Sequence, residues 1–342
     1  MTNYINHINS TLKPRTTEKE IVLDLFAGCG GLSLGFEAAG YKTIGFEMDK
    51  AAATTYQNNL GSDCHAVKLD LDFDYPNAEI IIGGPPCQPF SVGGHQKGME
   101  DARDGFPIFI DAIKKLKPKV FMFENVRGLL YTNKWYFDLV LQELRKLGYL
   151  IDYKLLNAVN YGIPQNRERL FVFGHRAKFN FPKPLHHKVT VGEAIGDTML
   201  TAPEGSKFLT ASMDTYVAKY EKASYCINPR DLYPNKPART LTCRNLAGAT
   251  GDMQRVRLKD GRRRRLFHRE AARLQSFPDW FEFTGNETQQ FNQIGNAVPP
   301  LLAYQLAQAL KECYQMDELY SIDEITENNL QANQVLTLFN HE

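Results

Sequence analysis

The chain has 342 residues, of which 43% are hydrophobic and 23% charged, and its formal net charge is only +1. This composition is that of an ordinary globular protein of one or two domains, and it excludes a uniformly basic coat for nucleic acid. The six cysteines lie far apart, with no C-x-x-C pair and no Cys/His cluster. They indicate neither a disulfide framework nor a structural zinc site, and they favour a reducing compartment. No apolar run reaches membrane-spanning length, and the polar residues 1–18 predict a loose leader rather than a secretory signal.

The first half of the chain alternates short apolar or β-branched runs with stretches typical of helices. Strands are predicted at Ile21–Phe26, Thr43–Glu47, Ala66–Leu69, Ile80–Gly83 and Val120–Glu124, and helices at Leu32–Ala39, Lys50–Asn59, Phe106–Leu116 and Trp135–Leu147. This alternation predicts a doubly wound α/β sheet of parallel strands with helices on both faces. Two further strands, Leu150–Leu156 and Arg169–Phe173, are predicted to close the sheet as a pair, antiparallel in our interpretation.

The second half differs in composition and in pattern. Residues 181–289 are rich in Pro, Thr, Lys and Arg without sustained periodicity, which predicts a second, smaller domain. An amphipathic helix follows at Pro299–Tyr314, and its apolar positions Leu302, Leu306 and Leu310 need a partner surface that the first domain can offer. We therefore expect a first domain made of 19–180 plus 290–320, and a weakly structured tail at 321–342.

A glycine-rich turn follows the first predicted strand. Asp24 to Gly31 reads D-L-F-A-G-C-G-G, which matches neither the G-x-G-x-x-G dinucleotide pattern nor a phosphate-binding loop ending in G-K-[ST]. Glu47 ends the second strand, where it can accept hydrogen bonds from ribose hydroxyls, and Asp70 ends the third, where it can accept from an adenine amino group. Acids at strand ends are often only solvated turn residues. Together with the glycine turn they indicate an adenosine cofactor that is not a dinucleotide, namely S-adenosyl-L-methionine.

The fourth strand leads into a stiff loop that contains a cysteine. Gly83 to Ser91 reads G-G-P-P-C-Q-P-F-S, with two prolines before Cys87 and one after it. A lone cysteine is usually a small buried hydrophobe. Because proline restricts its own φ and the residue before it, this loop holds Cys87 at the end of a parallel strand at low entropic cost. We therefore interpret Cys87 as a nucleophile.

Charged residues follow at two further strand positions. Glu124 ends the fifth strand, which we expect beside the fourth, and this places it close to Cys87 as a proton donor or acceptor. Its alternative role is that of a structural ion-pair partner. Arg167 and Arg169 lie two residues apart in Q-N-R-E-R, so on a strand they would share one face. They are either surface charge or a pair of donors aimed at a carbonyl or phosphate oxygen.

Six segments, in this order, resemble those of the DNA (cytosine-5)-methyltransferases. They are D-L-F-A-G-C-G-G, P-P-C-Q-P-F-S, E-N-V, Q-N-R-E-R, the segment Arg269–Asp279 and the segment Gln293–Val298, and the resemblance as a whole spans Ile21 to Tyr314. The resemblance implies a class I, Rossmann-like S-adenosylmethionine-dependent methyltransferase domain with a smaller target-recognition domain. Two departures concern the cofactor: Met48 stands where many members have an aromatic residue, and Ala297 where serine is common.

The resemblance also implies a mechanism and its residues. The Cys87 thiolate would add to C6 of a flipped-out cytosine, Glu124 would engage N3 and the exocyclic amine, and Arg169 with Arg167 would hold O2. Residues implied to contact the cofactor are Phe26, Gly28, Gly30, Gly31, Leu32, Glu47, Met48, Asp70, Leu71, Pro86, Asn296 and Val298. No metal is expected.

Two regions are expected to contact double-stranded DNA. The segment Gln88–Phe106 is either an ordinary surface loop or, as its place behind Cys87 favours, a lid that includes Gln88, Ser91 and Arg103. In the second domain, Arg255–Arg273 carries nine Lys/Arg against two acids. This density favours phosphate contacts by Arg262, Arg263, Arg264 and Arg265 over a merely solvated face. Arg244 and Asn245 are the expected base-reading residues.

The function predicted from the sequence is that of a DNA cytosine-5 methyltransferase of a restriction–modification system. It is expected to act as a monomer in a bacterial cytoplasm, with a cognate restriction endonuclease acting separately. One alternative is the same chemistry on tRNA, against which stand the large basic second domain and the loop sequence P-F-S rather than P-F-T. A remoter alternative is a non-catalytic DNA-binding module.

Overall fold

The computed structural model describes residues 2–86, 104–223, 225, 230–248, 251–314 and 325. Cys87 and the predicted lid residues Gln88, Ser91 and Arg103 therefore lie outside the described residues. So does the predicted tail at 321–342 except Ile325, whose side chain is buried. Within the described ranges, none of the helices combines the length and the apolar character that crossing a membrane requires.

A seven-stranded sheet forms the centre of the molecule. Its strands are β1 (Ile21–Leu25), β2 (Lys42–Glu47), β3 (Cys64–Ala66), β4 (Ile80–Gly83), β5 (Val120–Val126), β6 (Leu150–Asn157) and β8 (Glu168–His175), while the short β7 (Gln165–Asn166) pairs elsewhere. The order is β3-β2-β1-β4-β5-β8-β6. The first five run parallel, and β8 is antiparallel to both β5 and β6. This confirms the predicted α/β class and the closing antiparallel pair.

Eleven α-helices, two 3-10 helices (Arg127–Leu130 and Ala158–Tyr161) and three more short strands also lie among the described residues. The helices are α1 (Asn3–Thr11), α2 (Gly31–Ala38), α3 (Lys50–Asn59), α4 (Phe106–Leu116), α5 (Lys134–Lys146), α6 (Val191–Ile195), α7 (Ala211–Ala223), α8 (Cys243–Ala247), α9 (His268–Leu274), α10 (Glu287–Asn296) and α11 (Pro300–Tyr314), and the strands are β9 (Ala238–Arg239), β10 (Arg255–Arg257) and β11 (Arg263–Arg265). The bounds of α3 and α4 agree with the prediction. Asp49 caps α3 by accepting from the Ala52 N–H, and α4 ends at Leu116, followed by the C-cap Lys117 in the left-handed conformation.

The C-terminal helix packs on the first domain, as predicted. Leu302, Leu306 and Leu310 of α11 are buried. At Gly35 of α2 the two helices approach so closely that an added Cβ would lie 2.4 Å from the Cβ of Ala303. Glycine at position 35 therefore permits this contact.

Two predictions about local structure were wrong. The expected loose leader contains α1, in which Tyr4, Ile5 and Ile8 are buried, and the Tyr4 hydroxyl donates to the Arg273 carbonyl over 2.8 Å. The apolar side chains of α1 recur at helical spacing, which a polar composition concealed. The third strand is Cys64–Ala66 rather than Ala66–Leu69, so Asp70 stands in the loop beyond it.

The segment 181–289 shares a hydrophobic core with the first domain. One cluster of buried side chains includes Leu241 and Val256 from this segment together with Ile294 of α10 and Leu306 of α11. The segment is also joined to the chain ahead of β8, because β9 pairs in parallel with β7 through Gln165–Ala238 and Asn166–Arg239. The predicted domain boundaries remain a prediction.

Candidate active site

The carboxyl ends of the parallel strands meet at one edge of the sheet, which is where α/β proteins place their ligands. The Gly84 N–H, just after β4, donates to the Leu25 carbonyl at the end of β1 over 3.3 Å. Glu124 lies in the neighbouring β5, and a Cβ added at Gly84 would lie 3.7 Å from its Oε2 atom. The loop that leads to Cys87 therefore starts beside the Glu124 carboxylate, as expected from neighbouring fourth and fifth strands.

Hydrogen bonds hold the last described residues before Cys87. The Asn125 side-chain amide donates to the Pro85 carbonyl over 3.0 Å, and the Gly105 N–H donates to the Pro86 carbonyl over 2.9 Å. A Cβ added at Gly105 would lie 2.4 Å from Pro86 and 3.0 Å from the Phe26 ring. Both sides of the segment 87–103 are thus fastened together next to Glu124.

Glu124 and Arg169 form an ion pair across the adjacent antiparallel strands β5 and β8. Arg169 Nε and Glu124 Oε1 are 2.9 Å apart, and the two side chains are only 15% and 12% exposed. Arg169 also donates through Nη1 to the Glu168 carbonyl over 2.8 Å. The pair is held in a fixed geometry, while Glu124 Oε2 faces the start of the Cys87 loop.

Arg167 occupies a different place from the predicted one. Its guanidinium is fully buried and donates to the carbonyls of Leu241, Gly295 and Ala297 over 2.7, 3.2 and 3.1 Å. Burial first, and then the charge of Arg169, lower the pKa of Arg167 to about 9, so it stays charged at neutral pH. Residue 167 falls between β7 and β8, which breaks the strand alternation on which a shared face for both arginines depended. The prediction that Arg167 holds cytosine O2 is therefore corrected to a positioning role.

Two buried glutamines, which the sequence did not single out, complete the junction around Arg167. Gln165 donates to the Leu274 carbonyl over 3.0 Å and accepts from the Leu241 N–H over 3.1 Å. Gln275 donates to the Ala297 carbonyl over 2.6 Å. Gln165 lies in the segment Q-N-R-E-R and Gln275 in the segment Arg269–Asp279. Their place in these two segments is the only sequence signal that could have identified them.

Glu47 has the geometry expected of an adenosine acceptor. Its Oε2 accepts from the Gly28 N–H over 2.9 Å and its Oε1 from the Asp49 N–H over 2.7 Å. A carboxylate accepts about four hydrogen bonds, so capacity remains for two ribose hydroxyls. A Cβ added at Gly28 would meet no atom within 4 Å, and Phe26 adopts φ +63° beside it. The backbone of the turn at Gly28 is therefore open to close approach by a ligand; we call this the open cradle.

The other predicted cofactor residues divide into exposed and packed groups. Met48 and Leu71 expose 70% and 53% of their surface, and Asp70 and Asn296 are also exposed. Pro86 is half-buried. The remaining predicted cofactor residues are closely packed. A Cβ added at Gly30 would lie 2.5 Å from Leu60, and a Cβ added at Gly31 would lie 2.6 Å from the Val298 carbonyl. The side chains of Leu32 and Val298 are buried. An acceptor carboxylate, an open cradle and exposed apolar side chains fit an adenosine group.

A buried hydrogen-bond chain runs beneath the glycine turn, and sequence reasoning missed it. Ser33 donates to Asp24 Oδ2 over 2.7 Å, Tyr56 donates to Ser33 over 3.0 Å, Tyr56 and Thr43 hydroxyls are 2.5 Å apart, and Thr43 donates to Glu37 over 2.7 Å. Asp24 Oδ1 is buried without a partner among the described residues. Burial, outweighing the Ser33 hydrogen bond, raises the pKa of Asp24 to about 7.

The arginine run of the second domain is not the predicted row of phosphate contacts. Arg264 is fully buried and pairs with Glu270 at 2.8 Å, and Arg263 is 12% exposed and pairs with Asp214 and Asp231 at 3.1 and 3.2 Å. For these two arginines the prediction was wrong, because Arg264 pairs with Glu270 of the following helix α9 and Arg263 pairs with two acids from distant segments. Arg262 is exposed and pairs with Asp260, while Arg265 donates to Met253 Sδ over 3.2 Å.

Of the two predicted base-reading residues, only Arg244 is available to a ligand. Asn245 is buried and its side chain caps α8, accepting from the Thr242 N–H over 2.9 Å and donating to the Thr240 carbonyl over 2.8 Å. A buried capping amide is already satisfied, so the prediction for Asn245 was wrong. The Arg244 side chain is 76% exposed.

The chain is similar to known proteins in sequence and in fold. Residues 21–312 match the family model described as C-5 cytosine-specific DNA methylase. The Type II methyltransferase M.AplI of Arthrospira platensis is 59% identical over 294 residues, which cover 85% of each chain. The Type II methyltransferase M.NgoFVII of Neisseria gonorrhoeae is 32% identical, covering 91% of this chain and 90% of its own. The structure of the Entamoeba histolytica methyltransferase EhMeth superposes with a TM-score of 0.68 at 17% identity, covering 86% of this chain and 99% of that one.

Proposed function

The chain belongs to the C-5 cytosine-specific DNA methylase family, and we propose that it methylates C5 of one cytosine within a specific double-stranded DNA sequence, as the modification enzyme of a restriction–modification system. Its similarity to Type II methyltransferases of bacteria supports this proposal and a bacterial cytoplasm as the compartment. The observation that carries it is the ion pair of Glu124 and Arg169, set against the start of the Cys87 loop at the carboxyl edge of the sheet.

Cys87 is the proposed nucleophile, although it lies outside the described residues. C5 of cytosine is too weak a nucleophile to be methylated directly. When the Cys87 thiolate adds to C6, an S–C6 bond forms and the electron pair of the C5–C6 double bond becomes available at C5. Once C5 carries the methyl group, a base removes the C5 proton, the double bond re-forms and the thiolate leaves.

Glu124 and Arg169 are proposed to hold the cytosine ring. Glu124 Oε1 is engaged by Arg169, which leaves Oε2, on the side of the Cys87 loop, to meet N3 and the exocyclic amine. Protonation at N3 by Glu124 offsets the negative charge that the thiolate brings to the ring. The Arg169 guanidinium, fixed by Glu124 and the Glu168 carbonyl, is a donor for cytosine O2.

The cofactor we propose is S-adenosyl-L-methionine, which supplies its methyl group as a sulfonium electrophile when bound. Glu47 would accept from the ribose hydroxyls, and the open backbone at Gly28 would let the ligand approach closely. Met48 and Leu71 would cover the adenine faces, and Asp70 would accept from its amino group. The remaining predicted cofactor residues keep their proposed places around this pocket.

A covalent trap tests the proposal. Tritiated S-adenosyl-L-methionine is supplied with plasmid DNA and, separately, with tRNA, and bisulfite sequencing of the plasmid locates the product. A duplex carrying 5-fluorocytosine at that site should form a covalent complex that is stable to denaturation, because a base cannot remove fluorine from C5 as it removes a proton. The Cys87→Ser variant should not form this complex. Label on tRNA alone identifies an RNA enzyme, and no label on either identifies a non-catalytic binding module; both results contradict the proposal.

A further inference from the structure

A buried glutamine from another part of the chain holds the C-terminal end of helix α10. Gln275 is the C-cap residue of α9, and its side chain is fully buried. Its Nε2 group donates to the carbonyls of Ile294 and Ala297 over 3.1 and 2.6 Å. A helix leaves its last carbonyls without partners inside the helix. Gln275 therefore supplies donors that the end of α10 needs and that water would otherwise provide.

Gln275 is itself fixed, and the next residue extends its hold on the chain. Its Oε1 atom accepts from the Gln165 side-chain amide, which also donates to the Leu274 carbonyl over 3.0 Å. Ser276 has φ +66°, in the left-handed region that non-glycine residues seldom adopt. Its hydroxyl oxygen accepts from the Leu301 N–H, at the start of α11, over 3.1 Å. The two residues of this turn thus hold both ends of the connection between α10 and α11.

The end of α10 is confined from two further sides. Arg167 donates through Nη2 to the carbonyls of Gly295 and Ala297 over 3.2 and 3.1 Å. A Cβ added at Gly295 would lie 2.4 Å from the backbone nitrogen of Cys243 in α8, so the two helices are in close contact there. The carbonyls on both sides of Asn296 are therefore held by buried donors, whereas Asn296 itself is exposed.

The same segment lies against the glycine turn that follows β1. A Cβ added at Gly31 would lie 2.6 Å from the Val298 carbonyl, and Cys29 Sγ donates to the Gln293 carbonyl over 3.6 Å. Asn296 stands between Gln293 and Val298 in the chain. The end of α10 is therefore packed against the turn that contains the open cradle, and it places an exposed side-chain amide near that cradle.

We propose that Gln275 and Ser276 are positioning residues for the cofactor: they hold the connection between α10 and α11 so that Asn296 keeps the place from which its side-chain amide binds S-adenosyl-L-methionine. A binding residue whose backbone is already fixed loses less conformational freedom when the ligand arrives, which strengthens binding. This inference rests on the proposed function, because it takes S-adenosyl-L-methionine as the cofactor.

Replacing Gln275 by Met tests the proposal, because it removes both donors and keeps the length of the side chain. Isothermal calorimetry should show S-adenosylhomocysteine bound about tenfold more weakly. The KM for S-adenosyl-L-methionine should rise similarly, while the single-turnover rate at saturating cofactor stays within about twofold. Affinity for a fluorescent duplex, measured by anisotropy, should match that of the parent. A lower saturated rate with an unchanged KM would overturn the proposal.

Gln254→Met is the matched control. Gln254 is also buried, and its Nε2 group donates to two carbonyls, those of Arg239 and Thr240, each over 3.2 Å. The control variant therefore loses the same two bonds in the second domain, and its thermal stability should fall as that of Gln275→Met does. Its affinity for S-adenosylhomocysteine should equal that of the parent. Equal losses of affinity in the two variants would reduce the effect to general destabilisation and overturn the proposal.

A double-mutant cycle tests whether Gln275 acts through Asn296. Asn296→Ala should weaken S-adenosylhomocysteine binding, and adding Gln275→Met to it should cause little further loss. Additive losses would contradict the positioning role. If Gln275→Met does not fold, Ser276→Ala removes only the acceptor for the Leu301 N–H, and it should weaken binding about threefold. Unchanged affinity in Ser276→Ala would then overturn the proposal.

The calorimetry also separates this proposal from the proposed function. Failure of the unaltered protein to bind S-adenosylhomocysteine would count against the proposed cofactor. Binding by the unaltered protein that Gln275→Met leaves unchanged would count only against the positioning role of the turn.

Discussion

Glu124 and Arg169 meet across two antiparallel strands at 2.9 Å, and each is nearly buried. Such a pair keeps its geometry because neither partner can leave without stranding the other's charge. It stands beside the start of the Cys87 loop, so a small ring placed there meets an acid and a guanidinium already in position. The two proposed catalytic side chains among the described residues, Glu124 and Arg169, are therefore in position before substrate binds.

Replacing Glu124 by Gln should lower the rate of methyl transfer by about 10²- to 10⁴-fold, because an amide cannot deliver a proton to N3. The measurement is single-turnover incorporation of tritiated methyl groups. Glu168→Gln is the control, since Glu168 is a carboxylate on the adjacent strand β8 that pairs with Arg127 at 2.6 Å. Similar rates for both variants would remove Glu124 from the mechanism.

Replacing Arg167 by Met should destabilise the fold by about 3–5 kcal/mol, because three buried carbonyls lose a charged donor. Urea denaturation measures the change. Arg127→Gln, which removes an exposed arginine, should cost no more than about 1 kcal/mol. A stable Arg167→Met protein with lost activity would instead return Arg167 to the predicted catalytic role.

Stability should fall as pH rises from about 4 to 7 because of Asp24. The folded state holds a proton on Asp24 up to a pKa of about 7, whereas the unfolded chain releases it near 3.8. The unfolded state therefore binds fewer protons in this window, and unfolding becomes easier as pH rises, by up to about 4 kcal/mol. The neighbouring charge of Glu47 acts in the same direction. Denaturation midpoints at pH 5, 6, 7 and 8 measure the slope.

Asp24→Asn should flatten that slope, because an amide has no proton to release between about pH 4 and 7 while its oxygen can still accept from Ser33. Burial explains why the folded state holds this proton, since Asp24 Oδ1 has no hydrogen-bond partner among the described residues and the bond from Ser33 by itself lowers the pKa. Asp138→Asn, at a surface carboxylate paired with Lys134, should leave the slope unchanged. An unaltered slope in Asp24→Asn would refute this account.

Replacing Arg264 by Gln should cost about 3–5 kcal/mol of stability, because Glu270 is left as a buried, unpaired charge. The DNA affinity of the folded fraction should be nearly that of the parent. Thermal unfolding and anisotropy, run on the same preparation, separate the two effects. A stable variant with weakened DNA binding would restore the phosphate role first expected for this residue.

Replacing Glu47 by Gln should weaken binding of the cofactor product S-adenosylhomocysteine by about tenfold or more, since charged acceptors contribute roughly 1.5–3 kcal/mol each. Isothermal calorimetry gives the affinity without turnover. Asp72→Asn, at an exposed acid near the same edge, is the comparison variant. Equal affinities for the two variants would show that Glu47 does not bind the ribose.

Local patterns in the sequence were sufficient for the sheet apart from the bounds of β3, for α3, α4 and α11, and for the place of Glu47 at the end of β2, whereas β5 continues two residues past Glu124. Apolar periodicity and caps act over a few residues, so one-dimensional reading captures them. The place proposed for the cofactor is likewise predictable, because the carboxyl ends of parallel strands lie at one edge of a sheet for any conformation of the loops.

The tertiary structure alone decided which arginines are free. Arg264 lies within a charged run yet is fully buried, while Arg244 is exposed beside a buried Asn245. Asp231, which neutralises Arg263, stands 32 residues away in sequence, and Leu241, which accepts from Arg167, stands 74 residues away. Arg263 and Arg167 are thus paired or hydrogen-bonded through contacts between residues far apart in the sequence, which no local pattern reveals. The sequence therefore determined the kind of chemistry, and the fold determined which charges remain to meet DNA.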